Sequence, residues 1–94
     1  MRIQPDEIKI IKTSILKRDK NAKIFLFGSR TKDNKKGGDI DILVLSDTLS
    51  FSDLIDIRCD LFKQMEEQKI DVVIAKRLDE NPFIKSISKD LIEL

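Results

Sequence analysis

The chain has 94 residues, of which 40% are hydrophobic and 37% are charged, and its 18 basic and 17 acidic side chains nearly cancel. This composition predicts one globular domain, residues 1–94, and the balanced charge argues against general nucleic-acid binding. There is no histidine and one cysteine, Cys59, which excludes His-based zinc sites, Ser-His-Asp hydrolysis and an intrachain disulfide. No apolar run reaches the ~20 residues that cross a bilayer, so we expect a cytoplasmic protein without a membrane partner.

Hydrophobic periodicity predicts three helices and three strands. Each helix begins where proline, serine or asparagine precedes apolar residues at helical spacing, and each strand is a short apolar run. The predicted elements, in chain order, are a helix at about 5–18, a strand at Lys23–Phe27, a loop at 28–38, a strand at Asp39–Leu45, a helix at about 51–67, a strand at Ile70–Ala75 and a helix at about 82–93. In the second helix, Cys59 shares the apolar stripe with Ile55 and Phe62, so we expect a buried core cysteine.

The order α-β-β-α-β-α predicts an α/β (α+β) fold with a small mixed sheet. The second strand, second helix and third strand form a βαβ unit, so those two strands should be parallel and adjacent. The first two strands, which a single loop joins, are more simply antiparallel. We expect the helices mainly on one face of this sheet.

Three aspartates form the candidate metal site. Asp39 and Asp41 are two positions apart in a strand, so their side chains point to the same face. If the second and third strands are neighbours, Asp71 joins them on that face. Three carboxylates would repel one another without a compensating cation, and Mg²⁺ prefers hard oxygen ligands of this kind. The pattern therefore predicts a site for Mg²⁺, with two ions, held by Asp39, Asp41 and Asp71.

The turn before these aspartates has features that suit a phosphate group. Gly28 lets the backbone approach without a Cβ clash, and Ser29 can donate hydrogen bonds through its N–H and Oγ. Arg30 and the loop lysines place positive charge where a pyrophosphate would leave. Asp71 would complete the shell of the ion that activates an attacking hydroxyl, or would itself accept the proton. The combination indicates metal-assisted phosphoryl or nucleotidyl transfer.

These residues resemble the signature of the DNA polymerase β-like nucleotidyltransferase superfamily. That signature is an apolar residue, Gly-Ser, a short spacer and Asp-apolar-Asp-apolar, which reads here Phe27-Gly28-Ser29 and Asp39-Ile40-Asp41-Ile42. The small size and the Gly-Ser-Arg start are similar to the minimal nucleotidyltransferases, the MNT-type or MntA-like antitoxins. The resemblance implies Mg²⁺, ATP as the nucleotide donor, triphosphate binding by Gly28 and Ser29 with Arg30 beside them, and catalytic and metal-binding roles for Asp39, Asp41 and Asp71.

The resemblance also implies a biological role. Minimal members are paired with a HEPN-domain toxin, an RNase, which they neutralise by attaching AMP to a tyrosine or by forming a complex. We therefore expect a protein adenylyltransferase that acts as an antitoxin, with the acceptor supplied by its partner. Two alternatives stay open: a non-catalytic antitoxin that blocks the toxin by direct binding, and one subunit of a small-molecule, antibiotic-modifying nucleotidyltransferase.

Overall fold

The computed structural model describes residues 4–28, 40–65 and 69–94, which form helices around one mixed sheet. The elements are α1 (Pro5–Leu16), β1 (Lys23–Phe27), β2 (Ile40–Leu45), α2 (Phe51–Gln64), β3 (Ile70–Ala75), α3 (Pro82–Ile87), a short 3-10 helix (Ser88–Asp90) and β4 (Ile92–Glu93). This is the α+β architecture that the sequence predicts, with one strand added at its end.

The sheet has the strand order β3-β2-β1-β4. β2 is parallel to β3, and β1 is antiparallel to both β2 and β4, which confirms the two predicted pairings. Backbone hydrogen bonds close the parallel pair at both ends. The Ile40 N–H donates to the Lys69 carbonyl (2.8 Å), and the Ser46 N–H donates to the Ala75 carbonyl (2.9 Å).

Side-chain caps start the helices where the sequence indicates. Before α2, the Ser50 Oγ accepts from the Asp53 N–H (3.2 Å), and the Asp53 carboxylate accepts from the Ser50 N–H (2.9 Å). Before α3, the Asn81 Oδ1 accepts from the Ile84 N–H (2.9 Å). Each cap satisfies backbone donors that a helix start leaves unpaired and is worth about 1 kcal/mol.

Each face of the sheet carries its own hydrophobic core. The larger core lies under α1 and α2 and contains Ile11, Ile15, Ile24, Leu26, Ile40, Ile42, Val44, Ile57, Leu61, Met65 and Val72. The smaller core lies on the other face and contains Phe27, Leu43, Ala75 and, from α3, Ile84. The two longer helices thus share one face, as expected, and α3 covers the other.

The last helix is shorter than predicted, because residues 82–93 do not form one helix. α3 ends at Ile87, and a 3-10 turn leads into β4. The Ser86 and Ser88 hydroxyls donate to the carbonyls three residues earlier (2.7 and 2.8 Å), local bonds that compete with continued helix. The chain then crosses to the larger core, where Ile92 pairs with Leu26 of β1.

The predicted burial of Cys59 is wrong. Its side chain is exposed, as are those of Ile55 and Phe62. α2 buries Ile57 and Leu61 against the sheet instead. The apolar stripe of this helix is wider than the strip that the sheet covers, so its outer part remains at the surface.

The other helices differ little from expectation. α1 ends at Leu16, two residues before its predicted end. α2 ends at Gln64, and residues 66–68, where the predicted end falls, lie outside the described residues. None of the helices in the described ranges is long and apolar enough to cross a membrane.

Candidate active site

Strand register brings two of the predicted aspartates together at one end of the sheet. Phe27 of β1 is the Cα partner of Asp41 in β2, and Asp41 is the partner of Asp71 in β3. The three residues therefore form one row across three strands. Residues aligned in this way point to the same face, and adjacent strands lie ~4.8 Å apart. Asp41 and Asp71 are thus side-by-side neighbours, as the sequence predicted.

This aspartate row lies on the same face of the sheet as α3. The next row, Phe25, Leu43 and Val73, is apolar and belongs to or packs against the smaller core. Asp41 and Asp71 are half-buried at the rim of that core. An apolar surface on one side lowers the local dielectric, so a cation there interacts with the carboxylates more strongly than it would in water.

Gly28 follows Phe27 and makes a close approach to the row. Its φ of +79° lies in the left-handed region, and it is the positive-φ residue in the described parts of the chain. A Cβ at this position would overlap the Asp41 Oδ2 and lie 3.2 Å from the Asp41 Cγ. Glycine is therefore required both by its backbone torsion and by the space that the Asp41 carboxylate occupies.

The chemistry of this donor set fits a divalent cation such as Mg²⁺. Asp41 and Asp71 supply hard oxygen ligands, and two adjacent ionised carboxylates are favoured when a cation compensates their mutual repulsion. The missing side chain of Gly28 leaves room for the Asp41 carboxylate itself. Within the described ranges, no three acidic or cysteine side chains group closely enough to hold a metal ion, and a metal site at this pair of aspartates stays a prediction.

The other predicted site residues are not described by the structure. Ser29, Arg30 and Asp39 all fall in the range 29–39, outside the described residues. Their assignment to the triphosphate and the metal stays a prediction. The two aspartates that are described, and Gly28, are brought together.

The sequence analysis treated Phe27 only as part of a strand, yet it is the third member of the aspartate row. Phe27 is 9% exposed and packs in the smaller core beside Asp41. It is the apolar member of the row on the β1 side. The alternation of side chains along β1 indicates which face of the sheet carries Phe27. Only the register between β1 and β2 shows that Phe27 lies next to Asp41.

Asp60 belongs to a polar cluster that joins two helices on the opposite face. Its Oδ2 binds the Lys17 Nζ (3.1 Å) and the Arg18 Nη1 (2.9 Å) and accepts from the Ser14 Oγ (3.1 Å). Lys17, then Arg18 and Ser14, lower the pKa of the Asp60 carboxyl from 3.8 to about 2. This cluster ties α1 to α2 and is separate from the aspartate row.

Asp19 belongs to a second polar cluster, at the far end of β2. The Ser46 hydroxyl donates to its Oδ2, and the Asn21 N–H donates to its Oδ1 (3.0 Å). Both hydrogen bonds lower the pKa of the Asp19 carboxyl, and the bond from Ser46 has the larger effect. Ser46 follows Leu45 at the opposite end of β2 from Asp41, so this cluster also lies away from the aspartate row.

Comparison with known families agrees with this geometry. Residues 9–94 match the family described as "Polymerase beta, Nucleotidyltransferase". The match spans the whole sheet and α2, and it contains every residue that the sequence analysis assigned to the site. No curated protein matches the chain.

Proposed function

Because this chain belongs to the polymerase β nucleotidyltransferase family, we propose that it transfers AMP from ATP to a tyrosine hydroxyl of a HEPN-domain toxin. In this proposal it is a Mg²⁺-dependent protein adenylyltransferase and the antitoxin of that toxin. Family membership supports nucleotidyl transfer in general, while the donor, ion, acceptor and role are proposed. The alignment of Asp41 with Asp71 beside Gly28 supports the metal ion. The ATP donor, the tyrosine acceptor and the antitoxin role follow from the resemblance of the sequence to the minimal nucleotidyltransferases.

Asp41 and Asp71 would hold the cation, with Asp39 as a third ligand. When bound, the ion would offset phosphate charge and make the attacking hydroxyl easier to deprotonate. Asp41 lies in the middle of the row, between Phe27 and Asp71, which restricts its side chain. Asp71 lies on β3, at the edge of the described sheet, and can face an incoming hydroxyl from that side.

The transfer makes one bond and breaks one. The acceptor oxygen bonds to the α-phosphorus of ATP, the bond between that phosphorus and the bridging oxygen of the β-phosphate breaks, and pyrophosphate leaves. The hydroxyl proton passes to Asp71 or to solvent. Gly28, Ser29 and Arg30 would hold the triphosphate, and the positive charge of Arg30 would also offset that of the leaving pyrophosphate.

The architecture supports an acceptor that comes from another chain. Among the described elements, α3 alone packs on the face that carries the aspartate row, and it covers the smaller core through Ile84. The described residues hold no further helical unit above Asp41 and Asp71. A partner that docks over this open end of the sheet would complete the site and present its hydroxyl.

The direct test is the intact mass of a co-expressed HEPN partner after incubation with this protein, ATP and Mg²⁺. We expect a gain of one or more AMP units, which Asp41→Asn or Asp71→Asn abolishes. Asp56→Asn, which changes an exposed aspartate of α2, is the matched control and should leave the gain intact. A second readout is thermal: Mg²⁺ should raise the melting temperature of the parent chain and not of Asp41→Asn/Asp71→Asn.

The alternatives give different results in the same experiment. No mass gain, with the toxin bound and silenced, would contradict the adenylyltransferase and leave a binding antitoxin. Nucleotide found on an aminoglycoside-like small molecule, and not on the partner, would identify the antibiotic-modifying alternative.

A further inference from the structure

The outer flank of α2 carries apolar side chains that the fold leaves uncovered. Phe51, Ile55 and Phe62 are 74%, 45% and 70% exposed, and Cys59 between them is exposed as well. These four residues, the α2 stripe, recur every three or four positions and so lie along one side of the helix. Two exposed phenylalanines on one helix form the kind of apolar patch that marks an interaction surface.

The α2 stripe points away from the rest of the domain. On the opposite flank of the helix, Asp60 binds Lys17 and Arg18 of α1. Between the two flanks, Ile57 and Leu61 face the sheet. α2 packs on β3, which is the edge strand of the described sheet. The stripe therefore lies on the β3-edge side of the molecule, where no described element covers it.

Two opposite charges beside the stripe repeat its spacing. Asp56 and Lys63 are seven positions apart, as are Ile55 and Phe62, and both pairs are centred next to Cys59. Seven residues make about two helical turns, so the two members of each pair lie above one another along the helix. Around the helix, the apolar pair lies on one flank of Cys59 and the charged pair lies on the other. Neither Asp56 nor Lys63 forms an ion pair with any residue in the described ranges.

We propose that α2 pairs with α2 of a second copy of this chain, antiparallel, about a two-fold axis beside Cys59. In such a pair, a position before the centre lies level with the position equally far after it in the other copy. With the centre at Cys59, Ile55 is four positions before it and Phe62 is three after it, so Ile55 packs against the second copy's Phe62 with an offset of one position. Asp56 and the second copy's Lys63 meet with the same offset, which is ~1.5 Å along the helix and is spanned by their side chains. Symmetry repeats both contacts, which gives two apolar contacts and two ion pairs.

The self-complementary charge pattern selects a second copy over another kind of partner. In a two-fold antiparallel helix pair, the same flank of each helix meets the same flank of the other. A charged flank is then favourable only if it carries both signs at nearly equal distances from the centre, as Asp56 and Lys63 do, three positions before Cys59 and four after it. A surface for a chain of different sequence would not need this symmetry.

The dimer is independent of the proposed activity. The α2 stripe belongs to the helix layer on one face of the sheet, and Asp41 and Asp71 lie on the other face with α3. Pairing through α2 leaves the aspartate row open to nucleotide and acceptor. Loss of dimerisation and loss of nucleotidyl transfer are therefore separate results.

Sedimentation velocity of the reduced full chain over increasing concentration tests the proposal. We expect the mass to rise from one chain to two, and Phe62→Glu to raise the dissociation constant at least about tenfold. Phe83→Glu is the matched control, because Phe83 is also an exposed phenylalanine, 54%, but lies on α3. A chain that stays monomeric at every concentration, even one that binds a different protein through α2, overturns the proposal. Equal effects of the two substitutions also overturn it.

Charge exchange and cross-linking test the alignment. Asp56→Lys and Lys63→Asp should each weaken the dimer, and Asp56→Lys/Lys63→Asp should restore it. Mild oxidation with copper–phenanthroline should join two Cys59 thiols in a disulfide, with two protons and two electrons passing to the oxidant. A dimer that neither recovers in the double variant nor cross-links at Cys59 would contradict the antiparallel alignment.

Discussion

Gly28 and Asp41 depend on each other at the scale of single residues. The sequence analysis assigns Gly28 to the close approach of a phosphate group, which stays a prediction. The structure adds a neighbour within the chain, since the Asp41 carboxylate occupies the space where a Cβ would lie. The φ of Gly28 is also left-handed, a torsion that other residues rarely adopt. Both the torsion at position 28 and the position of the Asp41 carboxylate therefore depend on the missing Cβ.

Gly28→Ala should destabilise the fold and displace the Asp41 carboxylate. The left-handed backbone alone costs an alanine about 1–2 kcal/mol, and the overlap with Oδ2 adds to it. Urea unfolding of both forms measures the loss. In an Asp41→Ala background the overlap is gone, so the same glycine substitution should cost less. Equal losses in the two backgrounds would show that the close approach to Asp41 does not matter.

At the scale of elements, α2 shows that an apolar stripe need not be buried along its whole width. Periodicity predicts which residues share a side of the helix, but not how much of that side the sheet covers. Ile57 is fully buried, whereas Ile55, two positions earlier, is 45% exposed. This is why the sequence predicted the helix correctly and placed Cys59 wrongly.

Ile57→Ala and Ile55→Ala make a matched pair on this helix. Ile57→Ala removes fully buried atoms and leaves a cavity in the larger core, which costs about 2–5 kcal/mol. Ile55→Ala removes the same atoms from the surface and should cost less than about 1 kcal/mol. Chemical denaturation at a concentration where the chain is monomeric measures both. Similar losses at the two positions would contradict the burial of Ile57.

The contact between α1 and α2 depends on the charge of Asp60. Because its pKa is lowered from 3.8 to about 2 in the folded protein, its stabilising effect is complete above about pH 4 and is lost as pH falls towards 2. Asp60→Asn should therefore lower stability near neutral pH and make it less dependent on pH in this range. Unfolding curves at several pH values test this at a concentration where the chain is monomeric, with Asp56→Asn on the same helix as the control. An unchanged pH dependence in Asp60→Asn would count against the contact.

The end of the chain shows where local patterns are not sufficient. Asn81 and Pro82 start α3 as predicted, and Ile84 enters the smaller core. Beyond Ile87 the outcome depends on β1, whose free side accepts Ile92 as a partner from far along the chain. Helical spacing of apolar residues carries no information about such a distant partner, so β4 was not predicted.

At the scale of the whole molecule, topology explains why the aspartate pair could be predicted. The βαβ rule makes β2 and β3 parallel, and alternation puts Asp41 and Asp71 on one face once the register is in place. A shift of one residue in the pairing of β3 with β2 would have turned the side chain of Asp71 towards the larger core. Phe27 was missed because its neighbour Asp41 comes from the pairing of β1 with β2 and not from the sequence around it.

The pairing of β4 with β1 has a consequence for synthesis on the ribosome. β1, β2, α2 and β3 can assemble soon after they emerge, because their contacts join segments that are close in sequence. The outer edge of β1 then stays open until residues 92–94 appear, and closing it joins positions about 70 residues apart, such as Ile24 and Leu94. Such a late, long-range closure is slow. Until it occurs, the nascent domain exposes the unpaired edge of β1, with which a strand of another nascent chain can form backbone hydrogen bonds.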